Sequence, residues 1–258
     1  RELASLSVRV TQAGAYDVAN NGPRRRRMLL CVGRMLEGTR LLAPSLGNMA
    51  VPTGRGFWGQ TAVTWRDGLV LEVAEGLATR SGAMGRERVA IISEASAYRC
   101  CGGFRDGSCH GPEEALCVQT TVHASLEKAR DELLAGFGCV GGLAYIPRDG
   151  VVLSPEVEVI RDGPDSGYAF LEQPRHLAAV VSVAMFNCSD KARRVPVDAP
   201  TDSAAYEDAL SAKFRSVLCA VLASGSSCLV MPELGSGGFG NDPAVVGRLF
   251  GLVLRREF

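Results

Sequence analysis

Two adjacent carboxylates, Glu113 and Glu114, stand at the start of a helical pattern, directly after a glycine- and cysteine-rich stretch running from Cys100 to Pro112. Paired acids at a helix N-terminus ordinarily just complement the helix dipole. Held in a cleft beside bound phosphate, the same pair can do chemistry: burial and phosphate charge push a carboxyl pKa up, as a general acid requires. Two glycine loops point to phosphate. The first contains Cys101-Gly102-Gly103-Phe104, and the second runs Gly235-Ser236-Gly237-Gly238-Phe239-Gly240-Asn241-Asp242-Pro243 into a helical stretch. Backbone N–H groups freed by glycine and aimed by the next helix form a site for an anion such as a diphosphate. Neither loop carries the Gly-Lys-Ser or Gly-Lys-Thr of a P-loop, and neither reads as a dinucleotide fingerprint, so each alone is equally compatible with a plain tight turn.

Other chemistry-bearing residues form weaker constellations. Cys100, Cys101, Cys109, His110 and Cys117 match no CxxC pair or finger spacing and read as isolated thiols rather than a metal site. Cys117 and His123, six apart on one helical stretch, point to different faces and make a poor nucleophile–base pair. His176, beside Pro174 and Arg175, reads as a surface-loop histidine. The nine cysteines are an odd set, several of them inside apolar runs, which favours a reducing, intracellular setting.

The elements that must position these residues follow from composition and pattern. The 258 residues carry 28 Lys plus Arg against 28 Asp plus Glu, so no global field attracts nucleic acid. With 47% hydrophobic residues the chain can build a large core, and no apolar run approaches the roughly 18 residues of a membrane span. The chain opens at Arg1 without a signal-peptide pattern and ends amid the amphipathic Arg255-Arg256-Glu257-Phe258, as expected of an excerpt from a longer polypeptide. Asn20 to Pro23 reads as a turn, and Arg24 to Arg27 as a solvated charged face opening a helix through Met28, Leu29, Val32, Met35 and Leu36. Ala43 to Gly59 reads as a loop. Leu69 to Val73 reads as a strand, Ala74 to Ser81 as a helix and Arg88 to Ile92 as a buried strand, an order that suggests a parallel sheet. Helices are expected from about Glu113 to Leu126 and again over Glu127 to Leu134. Strands are expected at Val151 to Leu153, Val157 to Ile160, Leu177 to Met185 and Ser227 to Met231, with helices over Asp208 to Ala223 and Ala244 to Leu254. The unit of strand, glycine loop and helix thus occurs twice, the arrangement in which an α/β fold holds a nucleotide.

At this point the residues resemble a known family. Ala95-Ser96-Ala97, Cys101-Gly102-Gly103-Phe104, Gly107, Pro112-Glu113-Glu114-Ala115-Leu116-Cys117 and Ala124-Ser125-Leu126 are similar to the signature stretch of the bacterial-type (microbial) poly(ADP-ribose) glycohydrolases. That motif is a glycine triplet followed after a short gap by Gln-Glu-Glu. Leu234 to Pro243 resembles the family's phosphate loop, Leu177 to Asn187 its strand ending in asparagine, and Arg24 to Ala43 its N-terminal helix. The resemblance implies a three-layer α/β/α macrodomain-like mixed sheet, with residues 1–60 as an N-terminal helical and loop extension and 61–258 as the α/β domain. It implies Glu114 as the catalytic carboxylate and Glu113 as its neighbour on the distal ribose. Gly102, Gly103, Asn187 and the loop of Gly235, Gly237, Gly238, Gly240 and Asn241 would bind ligand, with Phe104 or Phe239 packed on it. The implied ligand is ADP-ribose, free or on protein, and neither cofactor nor metal is called for.

The chain departs from that pattern at specific positions. Cys101 replaces the first glycine of the triplet, bringing a Cβ to where bare backbone should approach phosphate. Pro112 replaces the glutamine, Ser93 an asparagine and Glu94 a hydrophobic residue, the second loop is shorter, and the family's last strand would lie beyond Phe258. Two readings of function therefore stand. The retained Glu113-Glu114 pair supports an active ADP-ribosyl glycohydrolase. The departures support a non-catalytic macrodomain that reads ADP-ribose or scaffolds protein partners.

Overall fold

In the run Val89-Ala90-Ile91-Ile92, Val89 and Ile91 pack into one hydrophobic cluster and Ala90 and Ile92 into another. A strand buried on both faces reads as a continuous apolar run, and successive side chains serve opposite layers. Val180 and Val181 divide between the same two clusters, as do Val152 and Val151.

The computed structural model describes residues 1–19, 25–49, 61–79, 81–82, 85–109, 111–137, 144–192 and 195–258. In chain order the elements are α1 (Glu2–Ala13), β1 (Ala15–Ala19), β2 (Arg25–Leu29), α2 (Val32–Gly38), β3 (Arg40–Leu42), α3 (Val70–Ala78), β4 (Ser81–Gly82), β5 (Gly85–Arg86) and β6 (Val89–Glu94). There follow α4 (Pro112–Gln119), α5 (Val122–Phe137), β7 (Val151–Arg161), β8 (Phe170–Val183), α6 (Ser203–Ala223), β9 (Cys228–Val230) and α7 (Pro243–Glu257). Five strands form the main sheet in the order β3-β7-β8-β6-β9. Strand β6 runs parallel to both β8 and β9, while β7 pairs antiparallel with β8 and with β3. The sheet is therefore mixed rather than parallel. Helices α1 to α5 cover one face and α6 with α7 the other, giving three α/β/α layers. No helix among the described residues is long and apolar enough to cross a membrane.

Several expected elements are recast by tertiary pairing. The helix expected from Met28 begins instead at Val32. Arg25 to Leu29 forms a hairpin strand against Ala15 to Ala19, in which Tyr16 lies opposite Met28 and stacks on Phe170. Arg25, Arg26 and Arg27 are exposed on that strand, and Arg26 donates to the Glu172 carbonyl. The strand expected over Leu69 to Val73 is the first turn of α3. Leu71 and Ala74, three apart, are its buried face, and the Glu72 carboxylate accepts from the Leu69 N–H. The helix expected through Leu126 breaks earlier, because Thr120 bridges to Val159 and the Thr121 N–H donates to the Glu158 carbonyl. The two strands expected around Val151 and Val157 are one, β7, which absorbs Pro155 and the positive φ of Glu156. Helix α6 starts at Ser203 rather than Asp208, capped by the Asp202 carboxylate on the Ala205 N–H. The expected turn at Asn20 to Pro23, Arg24, the loop beyond Met49, His110 and Cys139 lie outside the described residues.

The expected N-terminal extension supplies β3 to the sheet edge and, through Ala4 and Val8 of α1, side chains to the first core cluster. Ser7 fixes α1 in place: its hydroxyl donates to the Val118 carbonyl at 2.8 Å and accepts from Arg161 Nε at 3.0 Å. The Arg161 guanidinium also donates to the Tyr168 carbonyl and stacks on Phe170, and burial lowers its pKa to about 10. Removing the hydroxyl leaves a buried guanidinium nitrogen without its acceptor, a loss of about 1–3 kcal/mol. We expect Ser7→Ala to lower the thermal midpoint by roughly 2–4 °C for each kcal/mol in a chain of this size. An unchanged melting curve would show that α1 is held without this link.

Candidate active site

Parallel strands release their chains at the same edge of a sheet, so the segments after β6, β8 and β9 emerge side by side, with β6 in the middle. Hydrogen bonds stitch these segments together. The Ala95 N–H donates to the Val183 carbonyl, the Cys188 N–H to the Phe239 carbonyl at 2.8 Å, and the Gly235 N–H to the Glu94 carboxylate at 3.0 Å. Both glycine loops thus follow strands that end at the same edge of the sheet.

The first loop is shaped around Glu113 and Glu114. Gly111 caps α4 and Pro112 takes its first helical position, where a missing N–H costs nothing because that N–H has no partner in the helix. This places both glutamates in the first turn, where the helix dipole favours negative charge. The Glu114 carboxylate accepts from the Gly103 N–H at 2.7 Å and is wedged between Gly102 and Gly111, at either of which a Cβ would collide with it. Gly102 has φ +54°, and its Cβ would also come within 3.3 Å of the Glu113 carboxylate. These glycines are required by the carboxylates as much as by any ligand.

Glu113 is buried. One carboxylate oxygen accepts from the Ser96 N–H at 3.0 Å, and the other has no hydrogen-bond partner among the described residues. Burial pushes its carboxyl well above the usual range, partly opposed by the hydrogen bond from the Ser96 N–H. Cys101 adopts φ +61°, a left-handed conformation unusual for a residue with a Cβ, and its side chain is buried in the first core cluster. The intrusion expected of its Cβ is therefore directed inward, toward the His123 carbonyl, which its thiol approaches at 3.8 Å.

In the second loop, Gly235 and Gly240 have positive φ. Asn241 is a buried staple: its amide donates to the carbonyls of Phe186 and Gly235, and its oxygen accepts from the Tyr206 hydroxyl at 2.7 Å. Between the two glycines, the N–H groups of Ser236, Gly237, Gly238 and Phe239 have no acceptor among the described residues, and Gly237 and Gly238 are exposed. Four consecutive amides are thus left without an acceptor among the described residues.

The other expected ligand residues are placed differently. Asn187 uses its polar atoms within its own loop, donating to the Val195 and Pro196 carbonyls and accepting from the Ser189 N–H. Phe104 is fully buried against His123, with ring centroids 5.3 Å apart, and supports the first loop from beneath. Phe239 is half-buried at the rim of the second core cluster. Glu94 enters the sequence pattern only as a departure from it, and Gly111 has no part in that pattern. A lone acid closing an apolar strand was the available signal for Glu94.

The sign of the Glu113 pKa shift fixes a stability prediction. A carboxyl whose folded pKa is raised favours the folded state while protonated, and that advantage is lost as pH rises through the folded pKa. Glu113→Gln, which never ionises, should melt higher than the wild type at neutral and alkaline pH, with the gap closing in acid. Thermal melts across pH that show the variant less stable throughout would contradict this.

Comparison with known proteins places this geometry in context. Residues 4–162, more than half of the chain, match the family model of the microbial-type PARG catalytic domain. A poly(ADP-ribose) glycohydrolase from Thermomonospora curvata is 26% identical, with TM-score 0.71, over 97% of this chain and 85% of that one. Its structure bound to the inhibitor ADP-HPD gives 25% identity and TM-score 0.68 over 97% and 84%. The poly(ADP-ribose) glycohydrolase from Deinococcus radiodurans in complex with ADP-ribose is similar in fold, at 24% identity and TM-score 0.66 over 87% and 84%. No curated protein matches the chain.

Proposed function

The chain belongs to the microbial-type PARG catalytic-domain family, and on that premise we propose that it binds ADP-ribose and hydrolyses the O-glycosidic bonds of poly(ADP-ribose) or of protein-linked ADP-ribose. The observation that carries the reading is the Glu114 carboxylate, wedged between two glycines at the same sheet edge as four unused backbone amides. A diphosphate on the Ser236–Phe239 amides would have its charge met by N–H dipoles that need no rearrangement. Glu114 then faces the distal ribose. It gives a proton to the leaving ribose oxygen as the anomeric C–O bond breaks, and takes one from the water that adds to the oxocarbenium-like carbon. Glu113, held on the Ser96 N–H, orients that ribose beside it.

Phe104, Asn187 and Asn241 enter this proposal as supports of the two loops, and Gly102, Gly103, Gly235, Gly237, Gly238, Phe239 and Gly240 as the loops themselves. The eight described cysteines are all free thiols, and a reducing intracellular compartment would keep them so.

Glu114→Gln should abolish release of ADP-ribose from the polymer while leaving the melting curve and ADP-ribose binding intact. Unchanged release would remove Glu114 from the mechanism, and binding without release by the wild type would make the protein a reader. A second variant tests the wedge. Gly111 has φ −79° and ψ 154°, backbone that alanine adopts freely, and a Cβ there would meet the Glu114 carboxylate. Gly111→Ala should displace Glu114 and lower turnover by about a hundredfold, with ADP-ribose affinity changed little. Turnover within a few-fold of wild type would contradict the assigned position.

A further inference from the structure

Glu94 is an acid at the end of β6, a strand whose other residues are all buried and none of them charged. Its half-buried carboxylate accepts from the N–H of Gly235, the amide immediately before the four unused ones. Gly235 has φ +73°, and a Cβ there would collide with the Asn241 side chain, so this contact is built on a glycine. Glu233, two residues earlier in the chain, adds a second negative charge near the carboxylate. An anion-binding loop therefore carries an anion of the protein's own at its first amide.

We propose that Glu94 is a built-in competitor of the substrate's diphosphate, setting the affinity and specificity of the second loop by charge. The proposal rests on the ADP-ribose reading of this site. A carboxylate on the Gly235 N–H both consumes a donor and sets a unit charge beside the place where a diphosphate would sit. In a partly buried setting such a repulsion is only weakly screened. A neutral residue at this position would leave the loop more receptive to a diphosphate and slower to release it. The effect should act on the phosphates of a ligand and leave its adenosine end untouched.

The experiment is titration calorimetry of the full chain at about pH 9, well on the alkaline side because burial raises the Glu94 carboxyl above its ordinary range, using ADP-ribose and adenosine with wild type, Glu94→Gln, Glu94→Leu and Glu94→Asp. Gln keeps an oxygen for the Gly235 N–H and loses only the charge, Leu loses both, and Asp keeps the charge. Gln and Leu should bind ADP-ribose about tenfold more tightly than wild type. Asp should show no such gain, and adenosine affinity should be the same in all four. The result that sinks the proposal is wild-type binding that Gln and Leu fail to tighten, or an equal gain for adenosine, which would make Glu94 a matter of pocket shape. If neither wild type nor the neutral variants bind ADP-ribose, the ADP-ribose reading itself fails and takes the proposal with it.

Discussion

At the edge of the sheet where β6, β8 and β9 end, three backbone amides find carboxylates. Ser96 donates to Glu113, Gly103 to Glu114 and Gly235 to Glu94. These bonds link the end of β6, the start of α4 and the loop after β9 into one body. Where the carboxylate is ionised such a bond is about twice as strong as a neutral one, and in the first loop glycine stands where a Cβ would touch a carboxylate. The glycine pattern of the first loop is in large part a consequence of where the glutamates sit.

The rest of the fold makes that arrangement affordable. The middle strand β6 is buried on both faces, and α6 with α7 on one side and five helices on the other hold it. Against that rigid background the site carries unfavourable features: a positive φ at Cys101, and a buried Glu113 oxygen with no partner among the described residues. Strain and unsatisfied polar atoms persist where the surroundings over-determine them, and they gather where function needs a fixed geometry. The departure at Cys101 is tolerated because the loop's path turns its side chain into the core, away from the side where phosphate would approach.

The layers and the paired glutamates were legible because their signals are local. The apolar run through Val89 and Ile92 announces a two-sided strand, and two acids after a glycine loop announce a helix start near the site. What escaped was set by distant partners. Met28 and its neighbours keep a helical spacing but are drawn into a hairpin that Tyr16 anchors on Phe170. Leu69 to Val73 is too short a run for periodicity to tell strand from helix, and packing decides for the helix. The same holds inside the site. Asn187 and Phe104 have the residue types of ligand contacts, yet loop hydrogen bonds occupy the first and the core encloses the second.

The central claim is that the carboxylate-braced loops form one ADP-ribose site, with phosphate on one side and Glu114 on the other. A crystal structure of the chain with ADP-ribose tests it most directly. The account predicts diphosphate oxygens within hydrogen-bond distance of the amides of Ser236 to Phe239 and the distal ribose against Glu114. A diphosphate seated elsewhere, or a ribose remote from Glu114 in a fully occupied site, would contradict it.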